Sequence, residues 1–396
     1  MEETIFKAKG RTVMKTVSLI ELCYSVTDCP HSTPKWTNAG KIVIRNQNIR
    51  NGRLDTSSVS YTTQEDYDKR IKRALPNVGD IIITREAPMG EVCMIPDNLE
   101  CCLGQRMVLL KPNKDLVDNN YLLYALQSPY VQNQISWSEG TGTTVSNLRI
   151  PHLKKLQIPI IELIKQRKIA KLLANLDKKI AVNNEINDNL ANQIQAIYCN
   201  SYDSIAYKPS GILADICHYS TDKVPVSDLS VSTYYSTENM QPNKLGAVDA
   251  TSLPSMSQTT KCHKGDVLIS NIRPYFKKIV YATNECGCST DVLCFSPKEN
   301  ILSAFLFGTL YLDRFFDYMV AGSKGTKMPR GDKQQIMNYP IVIPSKESLT
   351  IYNETVLPML EQIACNRAEN KRLTDLRDTL MPKLMSGEID VSAIQL

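Results

Sequence analysis

The sequence predicts an α+β chain. Two tandem α/β domains are separated by two long helices that form an antiparallel coiled coil, with a pseudo-twofold internal repeat. Three observations lead there. The chain repeats itself with a period of about 185 residues. Short β-rich runs alternate with turn clusters in each half. Two helical stretches carry the same seam. The expected borders are 1–160 for the first domain, 161–205 for the first helical region, 206–345 for the second domain and 346–396 for the second helical region.

The duplication rests on features that return in the same order. Gly79-Asp80-Ile81-Ile82-Ile83-Thr84 returns as Gly265-Asp266-Val267-Leu268-Ile269-Ser270, and Gly142-Thr143 returns as Gly325-Thr326. Both glycine pairs precede a Lys/Arg-bearing stretch and then a Pro-bracketed apolar strand, Gln157 to Ile160 and Tyr339 to Pro344. One repeat of a whole domain explains this order; a solenoid does not. Within the halves, Lys41 to Ile44, Ile81 to Ile83, Val267 to Ile269 and Val292 to Phe295 read as strands. Asn120 to Gln127 and Ala304 to Met319 read as helices. Gly79-Asp80 and Gly265-Asp266 read as tight turns before buried strands, and Cys102 and Cys294 as core.

The seam comes next. Leu173, Leu176, Ile180, Asn183, Asn187, Leu190, Ile194 and Ile197 alternate steps of three and four, as heptad a and d positions do. The second copy reads Val356, Met359, Ile363, Asn366, Asn370, Leu373, Arg377, Leu380 and Leu384. A buried asparagine needs a polar partner and so fixes register. Antiparallel pairing brings Asn183 and Asn187 against Asn366 and Asn370. The simpler reading, in which each amphipathic helix packs only on its own domain, stays open. Pro358 places the start of the second helix near Leu357, because proline suits a first turn and breaks an interior. Pro382 is expected to kink or end it.

Composition sets the class. Hydrophobic content of 42% and charged content of 22% over 396 residues are enough for buried cores in two or three domains. A net charge of +5 permits a phosphate-binding surface without demonstrating one. The 12 cysteines include no Cys-x-x-Cys pair and there are four histidines, so no metal site is expected. The polar opening, Met1 to Lys15, is not expected to act as a leader, and there is no run of about 18 apolar residues to span a membrane. Reduced thiols in a cytoplasm are the expectation.

Catalytic motifs are missing. There is no G-x-x-x-x-G-K-[ST] phosphate loop, although Gly322 to Lys327 is rich in Gly and Lys. Gly140-Thr141-Gly142 lacks the third glycine of a dinucleotide fingerprint. No Asn-Pro-Pro or Asp-Pro-Pro tetrapeptide of an amino-methyltransferase occurs, nor a G-x-S-x-G elbow. The nuclease-like Glu369-Asn370-Lys371 lies on the helical seam, where a metal cleft does not fit.

These residues carry a resemblance. The run from Gly142-Thr143 through Leu153 to Ile160, then Gln166 to Leu173 and Leu176-Asp177, resembles the start of the helical region of type I restriction–modification specificity subunits. Thr33-Pro34 through Ile44 to Ile49, and Tyr235 to Met240, resemble the openings of their target-recognition domains. Leu380 to Asp390 is similar to the family's end. The resemblance implies a non-catalytic subunit with one target-recognition domain per half, each reading half of a bipartite, asymmetric site on double-stranded DNA. It implies a coiled coil that acts as a ruler and docks two modification (methyltransferase) subunits, which restriction/translocase subunits join. S-adenosylmethionine, ATP and Mg then belong to the partner subunits, with no cofactor in this chain. The competing readings are a coiled-coil adaptor without a DNA role and a fused DNA methyltransferase or nuclease.

DNA binding needs cations for phosphates and forked or amide side chains for base edges. In the first domain the candidates are Lys35, Arg45, Asn46, Arg50, Arg53 and Arg85, with Thr143, Thr144, Asn147 and Arg149 around the glycine-rich loop. In the second they are Arg273, Tyr275, Lys277, Lys278, Lys324, Lys327, Arg330 and Lys333.

Overall fold

A computed structural model describes residues 14–137, 147–203 and 208–394. The described residues fall into two compact units, one drawn from Met1–Ile180 and Lys371–Leu396, the other from Ala181–Asn370. The division cuts both long helices rather than the borders between domain and helix, because each half-helix packs on the domain beside it.

In the first unit the main sheet has four strands in the order Cys23–Asp28, Met107–Pro112, Ile81–Thr84 and Val92–Met94. In the second unit Cys217–Tyr219, Val292–Pro297, Val267–Ser270 and Ile279–Tyr281 take the same order. All pairings within these two sheets are antiparallel. Every residue of Ile81–Thr84 and of Val267–Ser270 is buried, so these strands read as unbroken apolar runs rather than alternating ones. Each unit also closes with a two-stranded pair, Thr16–Ser18 on Gln157–Pro159 and Gly211–Ile212 on Pro340–Ile341.

The second sheets differ between copies. The first runs Cys101–Leu103, Lys41–Ile44, Ser60–Thr62, Trp36–Thr37, with the first pair parallel. In the second copy Cys286–Cys288 lies between Gln258–Cys262 and Tyr234–Tyr235. The duplication therefore preserves the frame and varies one sheet.

The turn before each buried strand is the same device twice. Gly79 and Gly265 have φ of +83° and +96°, where glycine carries no Cβ penalty. The Asp80 carboxylate accepts from the Asn77 N–H at 2.8 Å, and Asp266 from the His263 N–H at 2.8 Å. Both aspartates are buried, and both turns are structural. Cys102 and Cys294 are core, as expected.

The long helices are Leu163–Tyr202 and Lys346–Met385, each of 40 residues. Ile194, Tyr198 and Tyr202 of the first pack with Leu349, Tyr352, Val356 and Leu360 of the second in the core of the second unit. In the first unit Ile169, Ala170 and Leu173 share a core with Met381, Leu384 and Met385. Contacts run antiparallel: Asp177 meets Arg377, Asn183 meets Asn370, and Asn187 meets Asn366.

Three sequence expectations need correction. The second helix begins at Lys346, not near Leu357, and Ser345 Oγ accepts from the Ser348 N–H at 3.2 Å as its cap. Pro358 therefore sits in the interior. It is exposed, and the carbonyl it orphans belongs to exposed Glu354, so water takes the lost bond while Val356 and Leu360 stay buried. Pro382 does not end the helix, which continues to Met385. Finally, Ala304 to Met319 is not one helix. It divides into Ser303–Tyr311 and Asp313–Ala321 at Leu312, which is extended (ψ 142°) and buried.

Candidate nucleic-acid interface

The shared frame brings three loops together in each copy. In the first domain the Arg85 N–H donates to the Arg106 carbonyl at 2.8 Å, and the Leu148 N–H to the Arg85 carbonyl at 2.9 Å. In the second the Asn271 N–H donates to Asp291 at 2.8 Å, and the Gly331 N–H to Asn271 at 3.3 Å. The loop after the buried strand, the loop before its neighbour and the loop before a short helix thus meet at one place twice. Gly331 suits this approach, since a Cβ there would lie 2.9 Å from Asn271 Oδ1 and from Ile336 Cδ1, and both side chains would have to shift.

Most sequence-selected cations of the second domain lie on this meeting point. The Arg273 N–H donates to the Pro329 carbonyl at 2.8 Å, and Ile272 and Lys324 each form a bridge with Arg330. Arg273 takes a left-handed φ of +51°, unusual for a residue with a side chain, and its buried Nε has no partner. Tyr275 and Phe276 lie 4.8 Å apart between centroids with their rings tilted by 56°, and are 48% and 38% exposed, so the loop shows two aromatic side chains to solvent. Lys277 is held by Asp313 at 2.9 Å and Lys324 by Asp332 at 2.5 Å. Arg330 meets Asp291 at 2.9 Å. Lys278 donates to the Thr237 carbonyl, and burial pushes its amine below the usual lysine range. Lys333 lies 5.7 Å from the Tyr219 ring centroid. Lys327 is exposed and has no ion-pair partner among the described residues.

In the first domain the candidates separate. Arg85 spends most of its donors inside the domain, on Asp28 at 3.0 and 3.1 Å, Asn147 at 3.2 Å and the Leu148 carbonyl at 3.0 Å. It positions the Asn147 loop. Arg53 turns to the first long helix, donating to the Asp177 carbonyl at 2.9 Å. Arg45 stacks on Trp36 at 5.0 Å, and Asn46 donates to the Glu86 carbonyl. Lys35, Arg50 and Arg149 are exposed. Thr143 and Thr144 lie outside the described residues, as do Gly140, Thr141, Gly142 and the start of the chain before Met14. Sequence reasoning missed Trp36, Gln47, Gln105 and Arg106, which line a cleft beside the same loops.

The helical asparagines meet across the pair. Asn183 Nδ2 donates to Asn370 Oδ1 at 2.8 Å and to Glu369 at 2.7 Å. Asn366 Nδ2 donates to Asn187 Oδ1 at 2.9 Å, and Asn370 Nδ2 to Asn184 at 2.8 Å.

Two domains built on one frame, joined to paired helices, are a specific arrangement. The model of the type I restriction–modification DNA specificity domain matches this chain twice, over residues 13–192 and 212–374. The chain belongs to the type I DNA specificity family. Among specificity subunits, the putative MjaX subunit of Methanocaldococcus jannaschii is 22% identical over 392 residues, 89% of this chain and 88% of that one. The MjaIX specificity subunit of the same organism is 24% identical over 348 residues, 80% of this chain and 79% of that one. The fold is similar to the crystal structure of a type I S subunit from M. genitalium, with a TM-score of 0.57 at 18% identity, covering 97% and 99% of the two chains. Among the described residues of this specificity chain, no group of three His, Cys, Asp or Glu side chains is placed to hold a metal ion, and no helix is long and apolar enough to cross a membrane.

One surface cluster of the second specificity domain holds a histidine whose charged form is favoured. His263 lies between Asp222 (3.0 Å) and Glu285 (3.1 Å), and Lys261 also meets Glu285 at 2.9 Å. The hydrogen bond to Asp222 raises the imidazole above its ordinary value; partial burial opposes this and Glu285 adds to it. The ion pairs are fully present below the unfolded value of about 6.5 and are lost as pH rises through the higher folded value. The ring is 40% exposed, so screening keeps the effect to a few tenths of a kcal/mol. The gap in urea midpoint between the parent and His263→Gln should therefore be wider at about pH 5.5 than at about pH 8.5. An equal gap at both would show that the cluster contributes nothing.

Proposed function

We propose that this chain is the sequence-reading, non-catalytic subunit of a type I restriction–modification complex, and that each domain reads one half of a bipartite, asymmetric site on double-stranded DNA. The observation that carries this is the repeated meeting of three loops, on which the second domain gathers Arg273, Tyr275, Lys277, Lys324, Lys327 and Arg330. Cations and aromatic faces at one place suit phosphate contacts and base edges. In the first domain Lys35, Arg45, Asn46, Arg50, Asn147 and Arg149 are the corresponding candidates, with Arg85 holding the loop. The paired helices dock two modification subunits, which restriction/translocase subunits join. S-adenosylmethionine, ATP and Mg work on those partners. A cytoplasmic complex follows from this role.

The test is exchange of one domain. Replacing residues from about 16 to 157 by the corresponding segment of another family member, in a host with the modification partners, should change one half of the methylated motif. A change in both halves, or in neither, would overturn the assignment of one domain to one half-site. For charge, Lys327→Ala should weaken binding evenly across sequences and lower the slope of log affinity against log salt by about one. An unchanged slope would remove Lys327 from the phosphate contacts.

A further inference from the structure

The first domain holds a cleft of about 400 Å³ whose lining includes Trp36, Arg45, Asn46, Gln47, Gln105 and Arg106. Backbone packing places these residues together. The Gly104 N–H donates to the Ile44 carbonyl at 2.8 Å, and a Cβ at 104 would stand 2.9 Å from that oxygen. The close approach sets Gln105 and Arg106 beside Arg45 and Asn46. Arg106 has a φ of +67°, a left-handed conformation that a Cβ disfavours and that recurs at functional sites.

We infer that this cleft is where the first domain reads base-pair edges in the major groove of double-stranded DNA, with Arg106, Gln105 and Gln47 as specificity-determining side chains. The inference rests on the DNA-reading function proposed above. The chemistry fits bases better than phosphates. Glu86 stands at the rim and holds Arg106 Nε at 3.1 Å. A phosphate would meet that carboxylate, whereas a base edge carries no net charge. The terminal nitrogens of the Arg106 fork, half-exposed, point to guanine-type acceptors, and the Gln47 amide can pair with adenine, while Gln105, its nitrogen held by the His31 carbonyl and Thr33, offers its oxygen to a base amine. Asn46 is oriented by its bond to the Glu86 carbonyl, which leaves its Oδ1 without a partner. That oxygen is buried, so Asn46 shapes the wall of the cleft and leaves the reading of the base to its neighbours.

The second copy supports the assignment by contrast. On the shared frame, the counterpart of Arg106 is Asp291, which Arg330 ties down at 2.9 Å. Opposite charges at equivalent positions cannot favour the same base pattern. The same backbone therefore offers two different readings, as an asymmetric site requires.

The experiment is motif determination by methylome sequencing of the complete complex carrying Arg106→Ala or Gln47→Ala. Each variant should lose discrimination at one position of one half-site by about 5- to 150-fold, with the other half-site intact. Gln47 is exposed and has no hydrogen-bond partner among the described residues, so its substitution leaves folding untouched and decides the matter if Arg106→Ala gives no methylation. A parental motif in Gln47→Ala, with Arg106→Ala parental or inactive, overturns the inference while leaving DNA reading in place. A parental complex that methylates no bipartite motif takes down the DNA-reading function and this cleft with it.

Discussion

Asp177→Ala should lower the unfolding free energy of the first unit by about 2–3 kcal/mol, a large share of the stability of a domain. Asp177 is one carboxylate with three partners. Arg377 Nη1 donates to Oδ1 at 2.8 Å, Tyr124 Oη to Oδ2 at 2.7 Å, and Arg53 reaches both the carboxylate and the backbone carbonyl. Arg377 and Asp177 are only 16% and 21% exposed, so removing the acid leaves the Tyr124 phenol unmet and Arg377 with Asp378 as its remaining ion-pair partner among the described residues. Burial and the neighbouring carboxylate both push the Tyr124 phenol well above its ordinary range, so it stays a donor at every pH of interest. Asp177→Asn keeps an acceptor for Tyr124 and loses the charge that Arg377 needs, and should cost about half as much. Urea unfolding followed by tryptophan fluorescence measures both. A loss under about 0.5 kcal/mol for Asp177→Ala would mean that the three contacts are solvated rather than structural.

The fold was legible where local chemistry decides it. Lys41–Ile44 and Val267–Ser270 are short β-rich runs beside turn residues, and the structure makes them strands. The repeat was legible because the Gly-Asp turn, the buried strand and the seam are each defined within a few residues. Pro358 misled because its cost depends on which way it faces. On the solvent side of a helix whose other face is held by Tyr352, Val356 and Leu360, the packing outweighs one missing hydrogen bond. The break at Leu312 was hidden because an apolar residue makes it. In the first copy the equivalent break is announced by Ser128-Pro129.

The candidate site was legible as residue types but not as assignments. Arg85 and Arg53 look alike in sequence, both exposed-looking cations between strands. Their partners Asp28 and Asp177 are far away in the chain and leave no local trace. Gln105 and Arg106 carried no pattern that marked them, and only their position opposite Thr290 and Asp291 on the repeated frame distinguishes them from ordinary loop residues.

The asparagine seam gives the second large effect, and the cross-helix pairing sets its sign. Leucine at 183 and 187 suits the first helix taken alone. The pairs, however, run across the helices, so both substitutions on one helix strand Asn366 and remove the Asn183 bonds to Glu369 and Asn370. Asn366 is 6% exposed and keeps Gln362 on its oxygen, so its Nδ2 is the group left unmet, at a cost of about 1–3 kcal/mol. That double variant should therefore be destabilised by about 2–4 kcal/mol across its two sites. The informative substitution takes one residue from each helix. Asn187→Leu and Asn366→Leu should each cost about 1–2 kcal/mol alone, and together should cost nothing or stabilise, because two leucines facing each other leave no polar group unmet but Gln362. The cycle should give a coupling of about 1–3 kcal/mol. Additive losses would show that the two amides act separately. The paired leucines remove one of the polar contacts that oppose a shifted alignment and leave Asn183 with Asn370, so they weaken the preference for register without abolishing it. Amide exchange along 183–190 and 363–370 should then quicken in the doubly substituted protein at equal global stability, and unchanged protection there would mean that register is fixed by the domains rather than by the asparagines.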